Sequence, residues 1–294
     1  MITHIKNPNS DKCIVFIHGL GGGSHTFQKF SIYLDSKWNL NYGVLLRIFK
    51  YYRKMFYYEA PSWMPNMIIN IFGYLTFPVK ALWSKRNSYN VDLLKQYIND
   101  NCADTNNIIL VAHSMGGLIA RQYLVDCKKN GIDIRRIRML CTFATPHNGS
   151  HIAKYASYIV HIPIFKNIYV FFSNIFKYRI SPQIGDLSNL NDFIITLNKD
   201  WSKFNVGKDL QFVRICGTKD RLVKINSSNH NNDDLENVYY FNYGHTGLIS
   251  PLITDENFEP IDKFLERLLF LEDNEEFFEE LEEEIDYDGT DDNF

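Results

Sequence analysis

Ser114, Asp220 and His245 are the residues of this chain whose types and places suit one another for chemistry. Ser114 lies in ILVAHSMGGLIAR, residues 109–121, between a run of branched apolar residues and a glycine pair. A serine hydroxyl is a poor nucleophile until a base takes its proton. A sharp strand-to-helix turn exposes the hydroxyl and strains its backbone, so the residues two positions away on each side must be small. Ala112 and Gly116 meet that need in the pattern A-x-S-x-G. The N–H of Met115, opening the helix, then points at a developing oxyanion. On its own the short motif also fits a strand–turn–helix whose serine merely caps the helix.

The other pieces favour chemistry. HGLGGG, residues 18–23, follows the first apolar run and offers a second oxyanion donor, the N–H of Leu20. Its glycines let backbone approach a substrate closely. Asp220 in GTKDRLV and His245 in YGHTGLI each fall just past a strand-like run. There a carboxylate can orient an imidazole, and the imidazole can take the serine proton. Asp186 and Asp200 are the other carboxylates weighed for the acid, and Asp220 is preferred for its place after a strand. His18 and His113 flank the turns and are read as holding loops, and His147 in TPHNGS is given a supporting role. His4, His25, His151, His161 and His230 have no assigned partner. No histidine–carboxylate cluster has metal spacing, no G-x-x-x-x-G-K-[ST] loop occurs, and GLGGG lacks the G-x-G-x-x-G spacing, so no cofactor is implied.

These residues need a scaffold that brings strand ends together. KCIVFIHGLGGG (12–23) reads as a buried strand with a glycine-rich turn, and HTFQKFSIYLDS (25–36) has apolar residues at helical spacing. YGVLLRIF (42–49) is expected as the second strand, YNVDLLKQYIND (89–100) as a helix, and NIILVAHS (107–114) as the third strand with a helix over 115–129. Further strands are expected within 135–150, 210–220 and 236–245, and a closing helix over 260–270. Strands that are apolar throughout and alternate with helices imply a parallel sheet covered on both faces.

The stretches HGLGG, VAHSMGGLIAR and FATPHNGS resemble those of lipases and esterases of the α/β-hydrolase superfamily. The resemblance is nearest to the intracellular serine esterases that include the GPI-inositol deacylase and SERAC-like proteins, and it spans roughly residues 12–270. It implies an α/β-hydrolase fold, with a mostly parallel central sheet, helices on both faces and helical cap or lid insertions. It also implies Ser114 as nucleophile, His245 as base and Asp220 as orienting acid, in the chain order of that fold, with Leu20 and Met115 as the oxyanion donors. The fold's usual leading antiparallel strands are expected to be missing, because the first HG strand begins at about residue 12.

Two stretches depart from the pattern. Residues 51–87 hold ten aromatics, five Lys or Arg and one acid, and residues 150–185 hold eight aromatics, four Lys or Arg and no acid. Both exceed ordinary connections and are expected to be cap insertions. Ala60–Val79 carries no formal charge over 20 residues, but Pro61, Pro65 and Pro78 argue for a cap or interfacial segment over a membrane span. The last 23 residues hold 13 of the 34 acids and no base, which leaves 31 basic against 21 acidic side chains, a net of +10, in residues 1–271. The domain is therefore placed at 1–271, with 272–294 an acidic tail expected to be disordered.

Five widely spaced cysteines without a CxxC pair fit reduced thiols, and the N-terminal stretch lacks a signal-peptide core, so the expected address is cytoplasmic, with peripheral association at a membrane surface. The expected partner is a lipid or acyl-ester substrate, and no nucleic acid. The expected reaction is hydrolysis of lipid or long-chain acyl esters through an acyl-enzyme on Ser114. An acyltransferase using the same trio is the alternative, followed by a non-catalytic lipid-binding module.

Overall fold

The computed structural model describes residues 12–19, 26–40, 51–56, 87–103, 105–149, 192–229, 237–252 and 254–271. In chain order these form β1 (Lys12–Ile17), α1 (Gln28–Leu40), β2 (Tyr51–Phe56), α2 (Asn87–Asn101), β3 (Asn107–His113), α3 (Met115–Lys129) and β4 (Ile137–Phe143). There follow α4 (Asp192–Lys203), β5 (Gln211–Gly217), the short α5 (Ile225–Ser228), β6 (Val238–Phe241) and α6, residues 259–271. Single 3₁₀ turns lie at Val206–Lys208 and Gly247–Ile249.

The six strands make one parallel sheet in the order β2-β1-β3-β4-β5-β6. Strand side chains alternate between faces, and here both faces are dry. Cys13, Val15 and Ile17 of β1 pack with Leu94 of α2, Leu118 of α3 and Leu197 of α4 in one core cluster. Ile14 and Phe16 pack with Phe30 of α1 and Phe264 of α6 in the other. That is why the interior strands read as unbroken apolar runs. The aromatic rings of Phe16, Phe27, Phe30 and Phe143 meet with centroids 5.0–5.8 Å apart, mostly edge to face, on the α1 side.

From β1 the chain crosses to one side to form β2, and from β3 it progresses to the other side through β4, β5 and β6. The carboxyl ends of β1 and β3 thus flank the point where the winding reverses, the place where open α/β sheets bind ligands. Ile17 pairs with Ala112 across these strands, so the turns after them stand side by side.

The second strand differs from expectation. Among the described residues it is Tyr51–Phe56, which opens the stretch expected to be an insertion. Among the described residues β1 is its one sheet neighbour, and an edge strand has no need of a continuous apolar run. Helix α4 was also unanticipated. Residues 42–49, the stretch Ala60–Val79, most of the expected caps, the residues before 12 and the acidic tail lie outside the described residues. All five cysteines are buried thiols outside any disulfide. Among the described residues no helix is long and apolar enough to cross a membrane.

Candidate active site

β3 is buried from Ile108 to its end, and the chain then turns into α3 within a single residue. Ser114 makes the turn with φ 55 and ψ −129, a conformation that costs a non-glycine residue about 1–3 kcal/mol. The surroundings hold it there. The Ser114 N–H donates to Phe143 O of β4 at 2.8 Å, and its own carbonyl accepts Gly117 N–H at 3.1 Å. Two glycines make room. A Cβ on Gly19 would stand 2.7 Å from Ser114 Cβ, and one on Gly116 would meet the backbone carbonyls of Ile17 and His18, the latter at 2.6 Å. The loop after β1 and the elbow after β3 therefore interlock through positions where no side chain fits.

His245 arrives from the loop after β6 and Asp220 from the loop after β5, as the chain order anticipated. His245 Nδ1 lies 2.7 Å from Asp220 Oδ2, and His245 Nε2 lies 2.9 Å from Ser114 Oγ. A carboxylate only accepts, so Nδ1 carries the proton, and Nε2 is left with the lone pair that receives the serine O–H. The acid is itself held. Asp220 Oδ1 accepts the N–H groups of Leu222 at 2.8 Å and Val223 at 2.9 Å. Its side chain is 1% exposed, against 13% for His245, so the base faces outward from a closed acid.

The N–H of Met115 belongs to the first turn of α3, where N–H groups lack intrahelical acceptors and the helix dipole is positive. Ser114 and the start of α3 thus lie together, as expected. Leu20, the other expected donor, lies outside the described residues, although Gly19 before it touches Ser114.

His113 and His18 both bind main chain. His113 Nε2–H donates to His245 O at 3.0 Å, and His18 Nδ1–H donates to Gly19 O at 2.7 Å. Burial, with His245 as the next cause, lowers the pKa of His113 to about 3, so its ring is neutral.

A family profile described as the PGAP1-like alpha/beta domain matches residues 9–162, more than half of the chain. The chain belongs to this family. Protein SERAC1 of Bos taurus is 26% identical to this PGAP1-like chain over 116 residues, which are 38% of the chain and 15% of that protein, so the chain spans a small part of the curated relative it matches. Among solved structures, Phospholipase PlaB from Legionella pneumophila is similar at a TM-score of 0.61 and 14% identity, covering 86% of the chain and 58% of its own. A lipase-esterase related protein from Clostridium acetobutylicum is similar at 0.51 and 14%, covering 92% and 98%. A monoacylglycerol lipase from Paleococcus ferrophilus is similar at 0.50 and 13%, covering 88% and 93%. The shared feature is the α/β-hydrolase fold.

Other residues weighed for the site lie as follows. Asp200 accepts Lys129 Nζ at 2.6 Å, in an ion pair between α4 and α3, and takes no part in the serine–histidine pair. Asp186, His4, His25, His151, His161 and His230 lie outside the described residues. His147 is fully buried in the loop after β4. Its Nδ1 accepts Arg121 Nη1 at 3.3 Å, so its Nε2–H donates to Thr142 Oγ at 3.2 Å, and that hydroxyl donates to Val213 O. Arg121 was not singled out from the sequence. It is fully buried, its guanidinium lies over the Trp201 ring at 4.7 Å, and burial with nearby Arg214 lowers its pKa to about 9. Among the described residues no group of His, Cys, Asp and Glu could hold a metal ion.

Proposed function

We propose that this PGAP1-like domain is a serine hydrolase of carboxylic esters, acting on lipid or long-chain acyl esters. The observation that carries the reading is His245 bridging Ser114 Oγ at 2.9 Å and Asp220 Oδ2 at 2.7 Å.

In this reading His245 Nε2 takes the Ser114 proton as Oγ attacks the ester carbonyl. The resulting oxyanion is met by the N–H groups of Met115 and Leu20. His245 then gives its proton to the departing alkoxide, the C–O bond breaks, and an acyl-serine remains. Water attacks that acyl group, passes its proton to His245, and the carboxylic acid leaves as Ser114 recovers its proton. Asp220 keeps the proton of His245 on Nδ1 throughout. Every step uses side-chain and backbone groups of this chain.

The lipid preference draws support from two of the similar proteins, a phospholipase and a monoacylglycerol lipase. The aromatic, basic stretches of the sequence and the net charge of +10 over residues 1–271 support association with an anionic membrane surface. A panel of acyl esters, from short p-nitrophenyl esters to phospholipids on liposomes, tests both points. Turnover that is lost in Ser114→Ala, and that is faster on membrane-borne than on soluble esters, is the expected result. Undiminished turnover in Ser114→Ala overturns the reaction, and equal rates with no liposome binding overturn the lipid preference.

A further inference from the structure

His245 follows a weakly protected strand of the sheet. β6 is a four-residue edge strand whose residues are half-buried or exposed. The base sits beyond it in a turn, with glycine at positions 244 and 247. Segments of this kind open at low free energy unless they are tied to the core. A base must nevertheless keep its Nε2 within reach of the serine, because a displacement of about 1 Å costs on the order of 10²-fold in rate.

The interior strand β3 ends in His113, and this buried ring meets the base in two ways. Its Nε2–H donates to the main-chain carbonyl of His245 at 3.0 Å, and the two ring centroids are 4.9 Å apart at an interplanar angle of 55°. We propose that His113 is a positioning residue for the base, anchoring the backbone of His245 to the strand that carries the nucleophile. The inference rests on the hydrolase reading above.

The chemistry of the position asks for an imidazole. The carbonyl of His245 needs a donor at the tip of a side chain of this reach. That donor must stay uncharged beside a ring that becomes an imidazolium at each transfer. A lysine or arginine would set a second cation against it, and an apolar residue would leave the carbonyl without this donor. His113 satisfies both demands: burial keeps it neutral, so the proton leaving Ser114 has one ring to go to. Glutamine is neutral, smaller than tryptophan, and carries an N–H donor at a similar distance from Cα, whereas asparagine falls short by a methylene.

The test compares wild type with His113→Gln, His113→Asn and His113→Leu, using a short soluble ester and a fluorophosphonate. In Leu and Asn, kcat is expected to fall about 10- to 100-fold, and fluorophosphonate modification to slow in parallel. KM is expected to stay within about threefold, and Gln to recover kcat to within about fivefold of wild type. A folded Leu variant with near-normal kcat, or a Gln variant as impaired as Leu, overturns the inference. Should Leu fail to fold, ¹⁵N NMR of wild type decides. His113 is expected as the neutral Nε2–H tautomer from about pH 5 to about pH 9, and a titrating ring or an Nδ1–H tautomer refutes the anchor. Failure of wild type to react with the fluorophosphonate strikes the hydrolase reading, whereas equal modification of wild type and Leu strikes the anchor alone.

Discussion

Replacing Asp220 with asparagine changes one atom and inverts the proton order of the site. Asp220 Oδ1 accepts two backbone N–H groups, from Leu222 and Val223, and Oδ2 accepts His245 Nδ1–H. In Asp220→Asn the single remaining oxygen has two places to go. Turned toward His245, it leaves the amide N–H₂ facing two backbone donors, which orphans both at about 1–3 kcal/mol each. Turned toward the backbone, it keeps both of those bonds and presents N–H to His245 Nδ1. The second orientation wins. His245 must then accept at Nδ1 and carry its proton on Nε2, where it faces Ser114 Oγ and cannot take the serine proton. This tautomer inversion is worth about 10⁴-fold in kcat in serine proteases, which is about 5.5 kcal/mol of transition-state stabilisation. A loss of about 10³- to 10⁴-fold in kcat on a soluble ester is expected here, with the fold intact because the loop bonds survive. Histidine ¹⁵N NMR is expected to show the proton moved from Nδ1 to Nε2 of His245. Activity within about tenfold of wild type would refute this account of the acid.

Three further outcomes follow from the packing. In Gly116→Ala the new methyl meets the carbonyls of Ile17 and His18, backbone that cannot step aside, so denaturant titration is expected to show a loss of about 1–3 kcal/mol together with reduced ester turnover; unchanged stability and turnover would show that the elbow and β1 are not interlocked. Tyr33 Oη accepts Phe258 N–H at 2.6 Å and donates to Asp262 Oδ1 at 2.7 Å, joining α1 to the start of α6. Tyr33→Phe strands that buried N–H, and urea unfolding is expected to show a loss of about 1–3 kcal/mol, whereas a change below about 0.5 kcal/mol would place the join elsewhere. His113 has a folded pKa of about 3 against an ordinary 6.5, so between those values the unfolded chain binds more protons. Its contribution is complete above pH 6.5 and is lost as pH falls toward about 3, at a slope of up to about 1.4 kcal/mol per pH unit. Unfolding midpoints of His113→Gln are therefore expected to depend less steeply on pH in that window than those of wild type, and parallel curves would contradict the burial of a neutral ring.

Most of the positioning framework was legible from local chemistry. The run from Asn107 to His113 and the glycine pair after Ser114 specify strand, turn and helix within a few residues. Asp220 and His245 stand out because each follows a strand-like run, and the structure brings His245 to Ser114 and Asp220 to His245. Tyr51–Phe56 does not read as a strand apolar throughout, a requirement of strands covered on both sides and not of an edge. Helix α4 did carry a signal, with Ile194, Leu197 and Trp201 at spacings of three and four on one buried face. The Arg121–His147–Thr142 chain carried none. Its members lie on α3, in the loop after β4 and on β4 itself, and Trp201 joins them from α4, so only the packed fold brings them together. For His113, position beside the nucleophile suggested a loop-holding part, and the structure adds the bond to the carbonyl of His245.

The central claim is that Ser114 is a nucleophile activated by His245. Covalent modification tests it most directly: the full chain is treated with a fluorophosphonate, digested and mapped by mass spectrometry. The account predicts a single phosphonate adduct on the Ser114 hydroxyl, absent from Ser114→Ala and formed about 10²-fold or more slowly in His245→Ala. An adduct on another residue, or an intact Ser114 after prolonged treatment of folded protein, would contradict it.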